Sequence, residues 1–177
     1  MLPPSGAILY FFVIREYIRK NIEKQPMTSD MENKLTSFVT ERVHYYFWDK
    51  DINCAGTTIL LLAEHFGVRI EQQVLNAAAG MHGAGGYRAQ CGIVEGALMF
   101  IGIFGTDCGL PERDVAAFCK AFAQSFVAAF GSLSCSVLRP TGFRADDPPH
   151  LCEGLTVKAI INTIGFITRQ KKKFINR

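Results

Sequence analysis

The sequence predicts an all-α fold, a compact multi-helix bundle with one glycine-rich interhelical loop. Three observations carry this. Apolar residues recur at spacings of three and four along most of the chain. Helix-starting and helix-stopping residues punctuate those periodic segments. No stretch offers a convincing alternation of apolar and polar residues in competition. The 177 residues are 49% hydrophobic and 20% charged, an ordinary globular composition that can bury a core without disulfide staples. No internal repeat is found.

Taken in order, a first amphipathic segment runs from about Ser5 to Lys24 and stops at Pro26, giving an N-terminal helical extension over residues 1–27. The main helical domain, 28–177, opens with "SDME" (29–32), a capping box in which Ser29 caps and Glu32 reaches back. Leu35, Phe38, Val39, Val43, Tyr46 and Phe47 then mark one face. Asn53 is the next N-cap, starting a helix that Gly67 ends after Phe66. A further segment covers Ile70 to Ala79. After the glycines a helix is expected from Cys91 to about Phe104. Pro111 opens the next, with Val115, Phe118, Phe122, Phe126 and Phe130 on one face. "LRPTGFRADDPP" (138–149) reads as a loop. A last helix begins near His150 and carries Val157, Ile160, Ile161, Ile164 and Ile167.

Charge narrows the function classes. A net charge of +3 is too small to argue for nucleic acid. The one basic run, Arg169-Gln170-Lys171-Lys172-Lys173, ends a helical pattern where cations suit the macrodipole, and reads as a solvated tail. "GAILYFFVI" (6–14) has no positive charge before it and no small-residue cleavage site after it, so it does not read as a signal peptide. It is also far shorter than the roughly 20 residues a membrane span needs. The expectation is a soluble cytoplasmic protein, whose six cysteines are then reduced thiols, ligands or reactive groups.

Those six are Cys54, Cys91, Cys108, Cys119, Cys135 and Cys152, and no two are separated by two residues, so the common zinc-ribbon, ferredoxin and thioredoxin spacings are absent. Position is more informative. Cys54 follows the N-cap Asn53, Cys91 opens its helix, and Cys152 lies in the first turn of the last one. Helix-start amides favour a thiolate at each. Cys135 follows the helix that ends near Gly131, Cys108 is in a loop, and Cys119 falls on the phenylalanine-lined face as an inert core thiol.

"CGIVEG" (91–96), with Cys54 upstream and Cys135 and Cys152 downstream, resembles the redox-active family labelled by its cysteine pattern, C_GCAxxG_C_C. That family has four characteristic cysteines, one inside a C-G-A-x-x-G motif. The likeness carries onto Cys54, Cys91, Gly92, Gly96, Cys135 and Cys152 and spans about Asn53 to Ala159. It departs at Ile93, where the family pattern has alanine. Cys108, Cys119 and the segment before about Thr28 lie outside it. The resemblance implies a redox site on these four cysteines.

The glycines before Cys91 acquire a purpose in this reading. Gly83, Gly85 and Gly86 can turn the chain tightly and leave space around the sulfur. Gly92 and Gly96, four apart, let a helix or ligand pack close to it. A phosphate cradle is the competing reading of "GAGGYR", but no strand precedes it and the pattern is loose. Glu95, one turn after Cys91, is a candidate proton shuttle. Arg88 could stabilise a thiolate, and His82 and His150 could pair with one or complete a metal shell.

The leading expectation is a thiol redox protein in which Cys54, Cys91, Cys135 and Cys152 cycle between thiol and disulfide. Cys91 is the expected attacking thiolate, and its partner cysteine is not readable from spacing. The same four cysteines could instead hold zinc or an iron–sulfur cluster. A third alternative is a non-catalytic helical module for a partner or small ligand, with residues 7–18 offering apolar surface for a homodimer. The redox and metal readings share one geometric requirement: the four sulfurs gather while Cys119 lies apart.

Overall fold

A computed structural model describes residues 29–174 except 140, 142 and 145. The expected N-terminal helix and the extension over 1–27 lie outside the described residues. From Leu35 onward the chain forms one compact unit. Among the described residues there are seven α-helices and no strand: α1 Ser29–His44, α2 Cys54–Phe66, α3 Gln72–Ala78, α4 Gly92–Asp107, α5 Glu112–Phe130, α6 Cys135–Leu138 and α7 Glu153–Phe174. None is long and apolar enough to cross a membrane.

Local chemistry accounts for most boundaries. The Asn53 side-chain oxygen accepts from the amides of Ala55 and Gly56, both at 3.0 Å, which starts α2 at Cys54. Gly67, at φ +65°, stops it in the left-handed conformation that glycine adopts without strain. Pro111 caps α5 and Gly131, at φ +82°, ends it. Two elements differ from the sequence reading. Tyr45–Asp49, where the helical face through Tyr46 and Phe47 is expected to continue, is a π-helical turn, and α6 is a single turn beyond the helix expected to end near Gly131.

The core is built around α4, which packs on α2, α5 and α7. Ile93, Val94, Ala97, Phe100 and Ile101 of α4 are buried on these neighbours. Phe66 and Phe100 stack with ring centres 5.7 Å apart, and Phe104 continues the stack. On the other side Phe118 and Phe122 of α5 meet Phe166 of α7, and Phe126 meets Phe122. The α2–α4 crossing is close because of Gly96: a Cβ there would overlap the Ala55 carbonyl oxygen and stand 3.0 Å from Thr58 Cβ. This packing brings the starts of α2, α4, α6 and α7 together, and each of those starts carries a cysteine.

Candidate thiol site

Two short sets of backbone hydrogen bonds hold the helix starts in place. The Cys91 amide donates to Leu133 O at 2.8 Å, and the Cys135 amide donates to Ala89 O at 2.6 Å. These belong to an isolated antiparallel bridge between Gln90 and Ser134, so the starts of α4 and α6 lie side by side. The Asn53 side-chain amide donates to Ala78 O and Ala79 O, both at 3.0 Å, which ties the start of α2 to the loop that precedes α4. Cys152 lies at the entry to α7, where its carbonyl accepts from the Thr156 amide at 2.8 Å.

The result is an open cavity of about 310 Å³ whose wall includes Cys54, Cys135 and Cys152. Cys91 sits behind that wall, 5% exposed. The thiols are near enough to act on one another electrostatically. Cys54 feels Cys91, Cys152 and Cys135; Cys91 feels Cys135 and Cys152; Cys135 feels Cys152. None of the six cysteines is in a disulfide. Cys119 lies elsewhere, its thiol 3.9 Å from Leu98 O, with burial alone pushing its pKa up.

The electrostatics reverse the thiolate expectation. Burial pushes Cys54 up to about 12 against the pull of its own amide, while the amides of Ala55 and Gly56 are taken by Asn53. Burial likewise pushes Cys91 up to about 11, although the amides of Ile93 and Val94 oppose this. Helix-start amides bring a fraction of a charge, whereas burial removes most of the solvation of a thiolate. Cys135 and Cys152 are also raised by burial, but each has a cation against it. Arg139 lowers Cys152 by its charge and a side-chain hydrogen bond, and Arg139 and Arg88 lower Cys135. The site therefore has a buried thiol, Cys91, a half-buried one, Cys54, with no cation against it, and a pair under guanidinium influence, Cys135 and Cys152.

The glycine loop is wound against the usual hand. Gly83, Ala84, Gly85 and Gly86 have φ of +64°, +54°, +66° and +84°, and Arg88 follows at +71°. Four successive residues of positive φ make a left-handed turn, which L-residues other than glycine enter at a cost of about 1–2 kcal/mol each. Its internal bonds run from Gly86 N to His82 O at 2.9 Å and from Arg88 N to Gly83 O at 2.8 Å. The space left by the glycines serves different sulfurs from the one expected. A Cβ on Gly83 would come within 3.3 Å of the Cys135 sulfur, and a Cβ on Gly92 would overlap the Cys54 sulfur. Gly86 lines the cavity, while Gly85 serves the turn itself.

The supporting residues divide. The Ala84 amide donates to the Glu95 carboxylate, and burial raises the Glu95 pKa against the pull of that amide and of His82. Glu95 Oε2 is buried without a hydrogen-bond partner. His82 and Arg88 line the cavity; His82 Nδ1 lies 3.0 Å from Ala79 O. His150, at φ +57°, stacks on Phe47 with centres 5.0 Å apart and meets Trp48 edge-on at 4.8 Å. Among the described residues no group of three or more His, Cys, Asp or Glu side chains is arranged to hold a metal ion.

Sequence reasoning read 138–149 only as a loop and missed that it brings Arg139 and Phe143 to the cavity wall. Arg139 pairs with Asp147 at 3.1 Å, and Asp147 also accepts from Thr141 Oγ1 at 2.8 Å and from the Arg144 amide at 3.0 Å. Phe143 lies beneath two guanidiniums, Arg88 at 4.2 Å and Arg139 at 4.7 Å from its ring centre. One signal was available: Arg139 is four residues after Cys135, one helical turn on.

The family comparison meets this geometry directly. The family described as "Putative redox-active protein (C_GCAxxG_C_C)" matches residues 52–164. The chain belongs to that family. The matched span of this C_GCAxxG_C_C protein contains all four thiols of the site, the left-handed turn and the Arg139–Asp147 segment. Comparison with curated proteins finds no match, and comparison with solved structures finds none.

Proposed function

We propose that this C_GCAxxG_C_C protein carries out thiol–disulfide exchange, with Cys152 as the attacking thiol and Cys135 as its partner. The observation that carries the reading is the placement of three thiols, Cys54, Cys135 and Cys152, on the wall of one open cavity, two of them beside Arg139. A cation against a thiol favours the thiolate, the form that attacks a disulfide. The Cys152 thiolate forms a bond to one sulfur of a substrate disulfide and releases the other as a thiolate. Cys135 then attacks the Cys152 sulfur, closing Cys135–Cys152 and releasing the second substrate sulfur. Two protein thiols are oxidised, one substrate disulfide is reduced, and the two thiol protons pass to the two released thiolates. Cys54 and Cys91 take part only after the Cys135–Cys152 pair.

Closing the Cys135–Cys152 pair requires movement, and the segments that carry it are the short ones. Cys135 opens a one-turn helix, and Cys152 follows His150, a left-handed non-glycine residue. Strain of that kind at a site is a reservoir for conformational change. The test is mass spectrometry after reaction with 2-hydroxyethyl disulfide. Cys135→Ser should accumulate a mixed disulfide on Cys152, Arg139→Gln should slow its formation several-fold, and Cys119→Ser should leave it unchanged. A mixed disulfide found first on Cys91, or none on any of the four, refutes the assignment.

A further inference from the structure

The mouth of the cavity carries a charge that its own structure leaves uncompensated. Arg139 is committed to Asp147. Arg88 is exposed, lines the cavity and contacts the Phe143 ring, with no carboxylate partner among the described residues. Asp51 is the one acidic side chain in the lining, against Arg88 and Arg139. Glu95 is not in the lining and is held on the Ala84 amide. The volume, about 310 Å³, is at the small end of ligand sites, which run from about 300 to 1,000 Å³.

Resting on the thiol-exchange reading, we infer that the site selects a small disulfide bearing a carboxylate, which Arg88 receives while a substrate sulfur faces Cys152. Size and charge point the same way. A cavity this small takes a low-molecular-weight disulfide in full, and a guanidinium over an aromatic face presents its planar fork to a carboxylate. The exchange is the one written above: the carboxylate stays ionised throughout, and the two electrons pass from Cys135 and Cys152 to the substrate sulfur–sulfur bond. Phe143 sets the position of the guanidinium and touches no reacting atom.

The experiment compares three disulfides of similar length and intrinsic reactivity: 3,3′-dithiodipropionate, 2-hydroxyethyl disulfide and cystamine. They carry negative, neutral and positive ends. With the full chain at low salt, rates relative to a simple free thiol should fall in that order, with the anionic reagent roughly three- to fivefold ahead of the neutral one, the range of one exposed ion pair. About 1 M salt should collapse the difference. Arg88→Glu should invert the order, and Arg88→Gln should level it. The salt dependence of the unaltered protein keeps the test decisive should a variant fold poorly. Equal rates for all three, or reduction only of a disulfide in a folded protein, overturns the charge selection and leaves thiol exchange standing. No reaction with any disulfide overturns both.

Discussion

Gly92→Ala isolates how closely the thiol site is packed. The added methyl would overlap the Cys54 sulfur and stand 2.8 Å from Met81 O and 3.2 Å from His82 Cα. The sulfur can rotate away, but the other two atoms are backbone at the entrance to the left-handed turn. Overpacking of this kind costs about 1–3 kcal/mol, and fixed backbone on one side places it in the upper half of that range. For a chain of this length about 1 kcal/mol moves the midpoint by roughly 2–4 °C, so a fall of roughly 5–10 °C is expected. Gly102, in the same helix, has nothing within 4 Å of its would-be Cβ. Gly102→Ala should therefore gain about 0.5–1 kcal/mol from the reduced freedom of the unfolded chain. Thermal and urea unfolding of the two variants should give opposite signs. Cys54 in Gly92→Ala should also alkylate faster, because its sulfur is driven toward the cavity. A Gly92→Ala protein as stable as the parent would refute the packing account.

Two further outcomes follow from the same geometry. The raised pKa values of Cys54 and Cys91, about 12 and 11, mean that the folded state keeps protons the unfolded state releases near pH 8.5. Stability is then full below about pH 8.5 and is lost as pH rises toward those values, so urea midpoints should decline between pH 9 and 11. A profile flat across that interval contradicts the burial assignment. Ala84→Gly should stabilise by about 1 kcal/mol, since residue 84 is held at φ +54°, and Gly86→Ala, at φ +84° with open space around it, should cost a similar amount. Denaturant midpoints read both.

What the sequence disclosed about this molecule tracks how local each cause is. The helix from Cys54 to Phe66 is bounded by a cap and a glycine within three residues of its ends, so its limits were legible. The segment Tyr45–Asp49 was legible as a continuation of the α1 face through Tyr46 and Phe47 but not as π-helical, and α6 starts beside a bridge between segments more than forty residues apart, which leaves no periodic trace. The cysteine pattern singled out Cys54, Cys135 and Cys152, which line the cavity, together with the buried Cys91, because the residues around Cys91 form a motif. The glycines were legible as room for sulfur but not as room for which sulfur: Gly83 faces Cys135 and Gly92 faces Cys54 only once α2, α4 and α6 are packed. The thiolate at Cys91 failed for a quantitative reason, since the amides at a helix start are written in the sequence and the desolvation that outweighs them is not.

The π-helical turn has one consequence of an optical kind. It contains the chain's single tryptophan, Trp48, whose indole NH donates to Glu153 at 3.0 Å and whose ring meets His150 at 4.8 Å. Those two residues flank Leu151 and Cys152 on both sides. The protein thus carries one indole, half exposed, anchored across the short stretch of backbone that holds Cys152. Its emission reports on that stretch and on His44, whose ring lies 6.1 Å away, with no second indole to average it away.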